Sequence, residues 1–213
     1  MQKYHKINSI YKRAEDGRFL AGQFSRPEFE YLYNNHWIWT EKVDGTNIRI
    51  APDGDGGIRV GGRTDNAQIP AKLLEAINGL ELGPKFQEHF TGIEVCLYGE
   101  GYGAGIQKGG NYRQDQGFVL FDVKIGIFWL SREDVDDVAD KLGIHAVPTL
   151  LQRNMAWAEG VARQGFGSTW GAFPAEGMVG TPAVPLFNRQ GKRVIVKLKT
   201  KDYTRGFADE RTT

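Results

Sequence analysis

Between Trp37 and Ile50 the chain reads WIWTEKVDGTNIRI, two alternating runs separated by Asp44-Gly45. Alternation with a period of two commits each run to a strand with one face buried. Asp-Gly tolerates positive φ at both central positions of a two-residue turn, which makes it a strong local hairpin signal. By itself, Lys42-Val43-Asp44-Gly45 therefore reads as a tight turn carrying a solvated lysine.

The flanking sequence extends this pattern. Residues 37–64 read as a β-meander: a strand into Val43, the Asp44-Gly45 turn, the strand TNIRIA, the loop PDGDGG and the strand IRVGGRT. IPAKLLEAI reads as a helix with Pro70 near its first turn. GIEVCLYGE and GFVLFDV are strands rich in branched and aromatic residues, the second continuing through Lys124 toward IGIFWL. SREDVDDVADKLG has a capping-box-like start at Ser131 and Asp134 and a glycine stop at Gly143. LLQRNMAWAEGVARQG reads as a further helix weakened by Gly160, and EGMVGT and RVIVKLKT read as late strands. Strands dominate and helices interrupt them irregularly. The expected class is α+β, with mostly antiparallel sheets flanked by helices, rather than a βαβ array.

A chain of 213 residues fits one good-sized domain, or at most two small ones, and a single domain over 1–213 is expected. The 27 Lys and Arg nearly balance the 26 Asp and Glu, so affinity for nucleic acid must come from a local patch. The single cysteine, Cys96, excludes an internal disulfide and a multi-cysteine zinc site. It lies in an apolar run and reads as a buried strand residue. His5, His36, His89 and His145 show no ligand spacing. The polar N-terminus and the lack of an apolar run of about 20 residues suggest a cytoplasmic protein with no membrane partner. A monomer is expected.

The last strand carries the most chemistry. In RVIVKLKT, Val194, Val196 and Leu198 share one face, and Ile195, Lys197 and Lys199 share the other. Two lysines on one strand face repel unless that face meets solvent or an anion, and an edge guarded by lysines is the ordinary reading. Glu176 precedes a glycine and an apolar strand. Glu100 ends a strand before a glycine-rich loop holding Lys108, Tyr112 and Arg113. Arg63 follows the meander. Singly, each reads as a surface charge. Together, these basic groups and carboxylates suit a polyphosphate with its divalent metal. Neither G-x-x-x-x-G-K-[ST] nor a complete G-x-G-x-x-G occurs, so side chains would have to hold the phosphates.

The order EKVDGTN, GGRT, YGEGYG, FVLFDV, EGMVG, VKLK resembles the six collinear motifs of the covalent nucleotidyltransferases: ATP-dependent DNA ligases, RNA ligases and mRNA capping enzymes. KINSIY, GEGYGAGIQKGGNY and LGIHAVPTL give it most resemblance to the RNA ligase 2 family. The resemblance runs from about Lys6 to Lys201. It implies a ligase adenylyltransferase fold and an ATP-dependent ligase, with RNA as the expected substrate. Such an enzyme joins 3′-hydroxyl and 5′-phosphate ends through a lysyl-N-AMP, using Mg2+ or Mn2+. By the same resemblance Lys42 is the nucleophile and Glu41 contacts adenine. Asn47 and Arg63 take the ribose and phosphate side, Glu100 the ribose hydroxyls, and Phe121 stacks on the base. Glu176 organises the metal, and Lys197 and Lys199 neutralise the α-phosphate. A free lysine titrates near ~10.4, so Lys42 is expected to be tuned downward by desolvation and neighbouring cations.

Asp44 departs from the histidine frequent in the RNA ligase 2 family, which leaves a minimal DNA ligase as one alternative. A nucleic-acid-binding module that kept the fold without sealing is another. Only about a dozen residues follow Lys201, so no appended OB-fold is expected. Seven Lys and Arg against one acid, Asp202, between Arg189 and Arg205 mark the expected nucleic-acid surface, with the loop around Tyr112 as a second candidate.

Overall fold

The runs on either side of Asp44-Gly45 do not pair with each other. The computed structural model describes residues 1–208. In chain order the strands are β1 (Asn8–Ser9), β2 (Tyr11–Arg13), β3 (Phe19–Phe24), β4 (Trp37–Glu41), β5 (Thr46–Pro52), β6 (Ile58–Gly61), β7 (Val95–Gly103), β8 (Gln116–Ile125), β9 (Phe128–Trp129), β10 (Thr149–Arg153), β11 (Gly177–Pro182), β12 (Val196–Lys199) and β13 (Phe207–Ala208). The helices are α1 (Pro27–Tyr31), α2 (Ala71–Asn78), α3 (Leu82–Phe90), α4 (Arg132–Leu142), α5 (Met155–Gln164) and α6 (Thr200–Thr204). Among the described residues no helix is long and apolar enough to cross a membrane.

The described strands form three sheets, in the orders β6-β5-β7-β8-β9, β1-β12-β11-β4-β10 and β13-β3-β2. All pairs are antiparallel except β1 with β12 and β13 with β3, so the α+β expectation holds. Contacts divide the chain into two compact units, one of Met1–His5 and Val43–Val147, the other of Lys6–Lys42 and the chain from Pro148 onward.

The first unit is the sheet around β5, β7 and β8, with α2, α3 and α4 packed on one face. Ile48, Ile50, Leu97, Leu120 and Val123 point to those helices with Leu73, Ile77, Phe86, Val135 and Leu142. Each such side chain contributes about 1.5–3 kcal/mol by leaving water. Ser131 caps α4 by accepting from the Asp134 N–H, and Gly143 ends it at φ 60°, as its sequence signals required. The run after Lys124 does not continue as one strand: the chain reverses at Gly126–Ile127, and β9 pairs back onto β8. Cys96 is buried, and desolvation pushes its thiol upward.

The second unit wraps the sheet around β4, β11 and β12 over α5. Its core holds Trp37, Trp39, Met155, Ala158, Met178, Val196 and Leu198. The segment read as a helix from Leu150 is half strand: β10 pairs with β4, and α5 begins only after Asn154, whose side chain accepts from the Trp157 N–H. The meander also needs correction. β4 buries its tryptophans in this core, whereas β5 buries Ile48 and Ile50 in the core of the first unit. The Asp-Gly signal is local and cannot register that the two strands serve different cores.

Candidate active site

In the second unit, alternation along β4 puts Trp37, Trp39 and Glu41 on the core side. Trp37 and Trp39 are fully buried, with ring centroids 5.9 Å apart. Glu41 is 1% exposed, and its carboxylate is fully engaged. Ser168 Oγ donates to it at 2.5 Å, and Thr169 donates through its N–H at 2.8 Å and its hydroxyl at 2.7 Å. These three bonds tie Glu41 to the segment that leads into Glu176. That segment is a small hairpin: Gly167 bridges Pro174, the Ser168 N–H donates to the Phe173 carbonyl, and the Ala175 N–H donates to the Phe166 carbonyl.

Lys42 emerges on the other side. Its N–H donates to the Gly177 carbonyl at 2.9 Å, and its Nζ lies 2.6 Å from Glu176 Oε2. Lys199 Nζ contacts the other oxygen of the same carboxylate. The Thr200 N–H holds the Glu176 carbonyl at 3.1 Å. Glu176 is thus fixed at backbone and side chain between two ammonium groups, each side chain about a fifth exposed or less. Gly177 makes this approach feasible. Its φ is 152°, and a Cβ there would lie 2.0 Å from the Leu198 carbonyl oxygen.

Lys197 lies two residues before Lys199 on the same face of β12, in register with Val179. Among the described residues it forms no ion pair. Its pKa is lowered, first by burial and then by the charges of Lys199 and Lys42. Asp202 opposes that shift, but Arg13 already pairs with Asp202 at 2.6 Å. A desolvated ammonium facing two others with no carboxylate of its own is a site built for an anion.

In the first unit, Asn47 is in register with Glu100 and Arg49 with Tyr98, all on the sheet face away from α2–α4. Asn47 Oδ1 is buried with no donor among the described residues. Phe121 packs on the same face, its ring 5.0 Å from Tyr4, whose hydroxyl donates to Asp122 at 2.8 Å. Arg63 is exposed beyond β6 and is not gathered with the others.

Sequence reasoning did not anticipate Arg49. It is 1% exposed and donates to the Gly62 and Met1 carbonyls and to Asp65. The Asp44-Gly45 turn packs on β7, where a Cβ on Gly45 would lie 2.2 Å from the Gly101 oxygen, and the Tyr112 hydroxyl accepts from the Asp44 N–H at 3.3 Å. Arg113 binds Asp115 through two 2.6 Å bonds. Two of the three loop residues expected at nucleic acid therefore have structural partners.

Among the described residues no group of three or more His, Cys, Asp and Glu is placed to hold a metal ion. One carboxylate, Glu176, stands among the lysines. That suits a small divalent ion bound by one protein carboxylate together with the phosphates of a nucleotide.

The family model described as RNA ligase matches residues 35–199, well over half of the 213. A mutant of the Naegleria gruberi RNA ligase solved with ATP and Mn matches at 21% identity and a TM-score of 0.66, over 84% of this chain and 54% of that one. A second mutant of that ligase with ATP and Mn matches at 20% identity and a TM-score of 0.69, over 96% and 57%. An apo mutant matches at 19% and 0.67, over 94% and 59%. The chain thus spans between 54% and 59% of the length of these solved chains. The likeness shows the fold to be that of the RNA ligase nucleotidyltransferase unit. No curated protein sequence matches. The chain belongs to the RNA ligase family.

Proposed function

We propose that this RNA ligase family member uses ATP to join a 3′-hydroxyl to a 5′-phosphate on RNA, with residues 1–213 working as one adenylyltransferase domain. The observation that carries the reading is the cluster in which Glu176 bridges Lys42 and Lys199 while Lys197 stands alongside without a carboxylate. The ATP and Mn bound by the Naegleria gruberi ligase support the choice of nucleotide and ion.

An amine bonded to a carboxylate at 2.6 Å is not yet a nucleophile, because its nitrogen lone pair carries the bonded proton. The pair is therefore a resting state. When the triphosphate enters, its charge competes with Glu176 for Lys199 and is met by Lys197. Lys42 then leaves Glu176 and gives up its proton to solvent water, which frees the nitrogen lone pair. Its Nζ bonds to the α-phosphorus as the bond to the pyrophosphate oxygen breaks. Lys197 and Lys199 stabilise the charge that builds on the α-phosphate oxygens. Glu176, released from the lysines, would hold the divalent ion, which when bound neutralises phosphate charge. A 5′-phosphate oxygen of the RNA then bonds to the AMP phosphorus as the Lys42 N–P bond breaks and the amine takes up a proton. The 3′-hydroxyl oxygen, losing its proton to solvent, attacks the RNA 5′-phosphorus and expels AMP.

On the first-unit face, Asn47 Oδ1 accepts from the nucleotide, Glu100 holds the ribose hydroxyls and Phe121 takes one face of the base. Arg63, exposed and apart from these three, keeps its phosphate-side role on the family resemblance alone. Glu41 acts from behind the sheet, by fixing the hairpin that delivers Glu176.

Incubation with α-labelled ATP and magnesium tests the reading. Covalent label on the wild type and none on Lys42→Ala is the expected result, and sealing of nicked RNA over nicked DNA follows. Equal labelling of Lys42→Ala would refute it.

A further inference from the structure

The basic stretch at the end of the chain divides into two parts. From Gly177 to Lys201 there is no acid and there are six Lys and Arg. Lys197 and Lys199 belong to the phosphate cluster. Arg189 and Lys192 stand apart on a hairpin that precedes β12. Phe187 bridges Arg193, the Val194 N–H donates to the Leu186 carbonyl at 2.9 Å, and the Asn188 N–H donates to the Lys192 carbonyl at 2.8 Å. At the tip, Asn188 Oδ1 accepts from the N–H groups of Gln190 at 3.0 Å and Lys192 at 2.9 Å. An asparagine bonding its own turn in this way gives a short loop a fixed shape.

What the hairpin displays has no structural purpose within the described residues. Val184 is 68% exposed, Phe187 53% and Leu186 38%. Arg189 and Lys192 are exposed and form no ion pair there. Apolar side chains held out of the core mark an interaction surface. Charged residues are depleted from the centres of protein–protein contacts, whereas an aromatic beside unpaired cations suits a nucleic-acid strand: the ring stacks on a base and the cations take phosphates.

We propose that the hairpin around Phe187–Lys192 grips the RNA strand being sealed, a role that rests on the ligase reading above. Phe187 supplies a stacking face, and Arg189 and Lys192 contact backbone phosphates. Register follows from chain length. Lys197 lies five residues along the chain from Lys192, and an extended chain covers at most about 3.3–3.6 Å per residue. The tip thus lies within about 18 Å of the cluster that handles the reactive phosphate. With an axial rise of about 3.4 Å per nucleotide of a duplex strand, that is at most roughly five nucleotides from the join.

The test measures binding of the full chain to a nicked, 5′-phosphorylated RNA duplex between 50 and 200 mM salt, beside self-adenylylation, which involves no RNA. Phe187→Ala is expected to weaken binding by about 5- to 150-fold at unchanged salt slope, as for loss of one base–aromatic stack. Arg189→Gln with Lys192→Gln is expected to lower the log–log salt slope by about 1.4–1.8, two phosphate contacts. Both variants should label with AMP within about twofold of wild type. Lengthening the duplex beyond about five nucleotides on the sealed side should add nothing further to the difference between wild type and variants.

Wild-type affinity and sealing in both variants would overturn the proposal, as would variants that change the protein's association state and leave RNA affinity intact, since the patch would then be a protein contact. If Phe187→Ala fails to fold, the exposed glutamine pair carries the same test. A wild type that binds RNA through the hairpin yet never labels itself would overturn the ligase reading and leave the hairpin assignment standing.

Discussion

Replacing Glu41 distinguishes a residue that touches adenine from one that braces the site from behind. Its carboxylate is 1% exposed and accepts three hydrogen bonds from Ser168 and Thr169. In Glu41→Ala, two hydroxyls and a peptide N–H lose their acceptor. An unmet buried donor costs about 1–3 kcal/mol, but serines and threonines can turn to other partners, so about 3–5 kcal/mol is expected after relaxation. Glu41→Gln keeps the shape. Its carbonyl can accept both bonds from Thr169 while its amide meets the rotatable Ser168 hydroxyl, so only charge assistance is lost, about 1–2 kcal/mol. At about 2–4 °C per kcal/mol for a chain this size, Glu41→Ala should melt about 6–20 °C below wild type and Glu41→Gln about 2–8 °C below. Because the braced hairpin leads into Glu176, Glu41→Ala should slow self-adenylylation through kcat, while Glu41→Gln leaves the KM for ATP within about threefold. Thermal melting and single-turnover labelling across ATP concentrations check both. A Glu41→Gln protein that melts like wild type but needs tenfold more ATP would refute the brace and return the carboxylate to the adenine.

The lowered pKa of Lys197 has a sign that can be measured. Its charged form disfavours the fold, so wild-type stability should rise as pH climbs from the depressed folded pKa toward the model value of 10.5, where the unfolded chain still binds the proton. Lys197→Met should lack that part of the rise, melt higher than wild type at pH 7, and label with AMP at least tenfold more slowly. Gly177→Ala meets the Leu198 carbonyl oxygen at 2.0 Å in a backbone region that favours glycine. It should lose several kcal/mol and abolish labelling, and near-wild-type melting would show that β11 and β12 can part without harm.

The cluster was legible where chemistry is bound to short sequence distance. Lys197 and Lys199 share a face because a strand alternates, and Glu176 stood out as a carboxylate placed just before a glycine and an apolar strand. The fold class followed from the number of branched and aromatic runs. Pairing was less legible. Nothing between Trp37 and Ile50 says that Trp39 and Ile48 are buried in different cores, because a turn signal reports the geometry of two residues and not the destinations of the strands they join. β10 was hidden in a run that continues into α5 without a glycine or proline to mark the join, and only the capping asparagine at 154 betrays where the helix starts.

Glu41 is the instructive case, because the rule that places its side chain was already in use. The alternation that groups Lys197 with Lys199 also sends Glu41 to the side of Trp39 and Lys42 to the other. A role inherited from a motif treats the two neighbours as one unit, whereas the sheet divides them. Lys42 faces Glu176 directly, and Glu41 reaches it only through Ser168, Thr169 and the hairpin that follows. Consecutive residues of a strand motif therefore do their work on opposite faces, and a charged residue on the buried face has to be satisfied by protein before it can serve a ligand. The same reasoning separates Arg49, buried and fully engaged, from Asn47 two residues earlier, whose buried oxygen lacks a donor among the described residues. An unmet acceptor next to Glu100 is the stronger pointer to a bound nucleotide, because the fold alone gives no reason to leave it so.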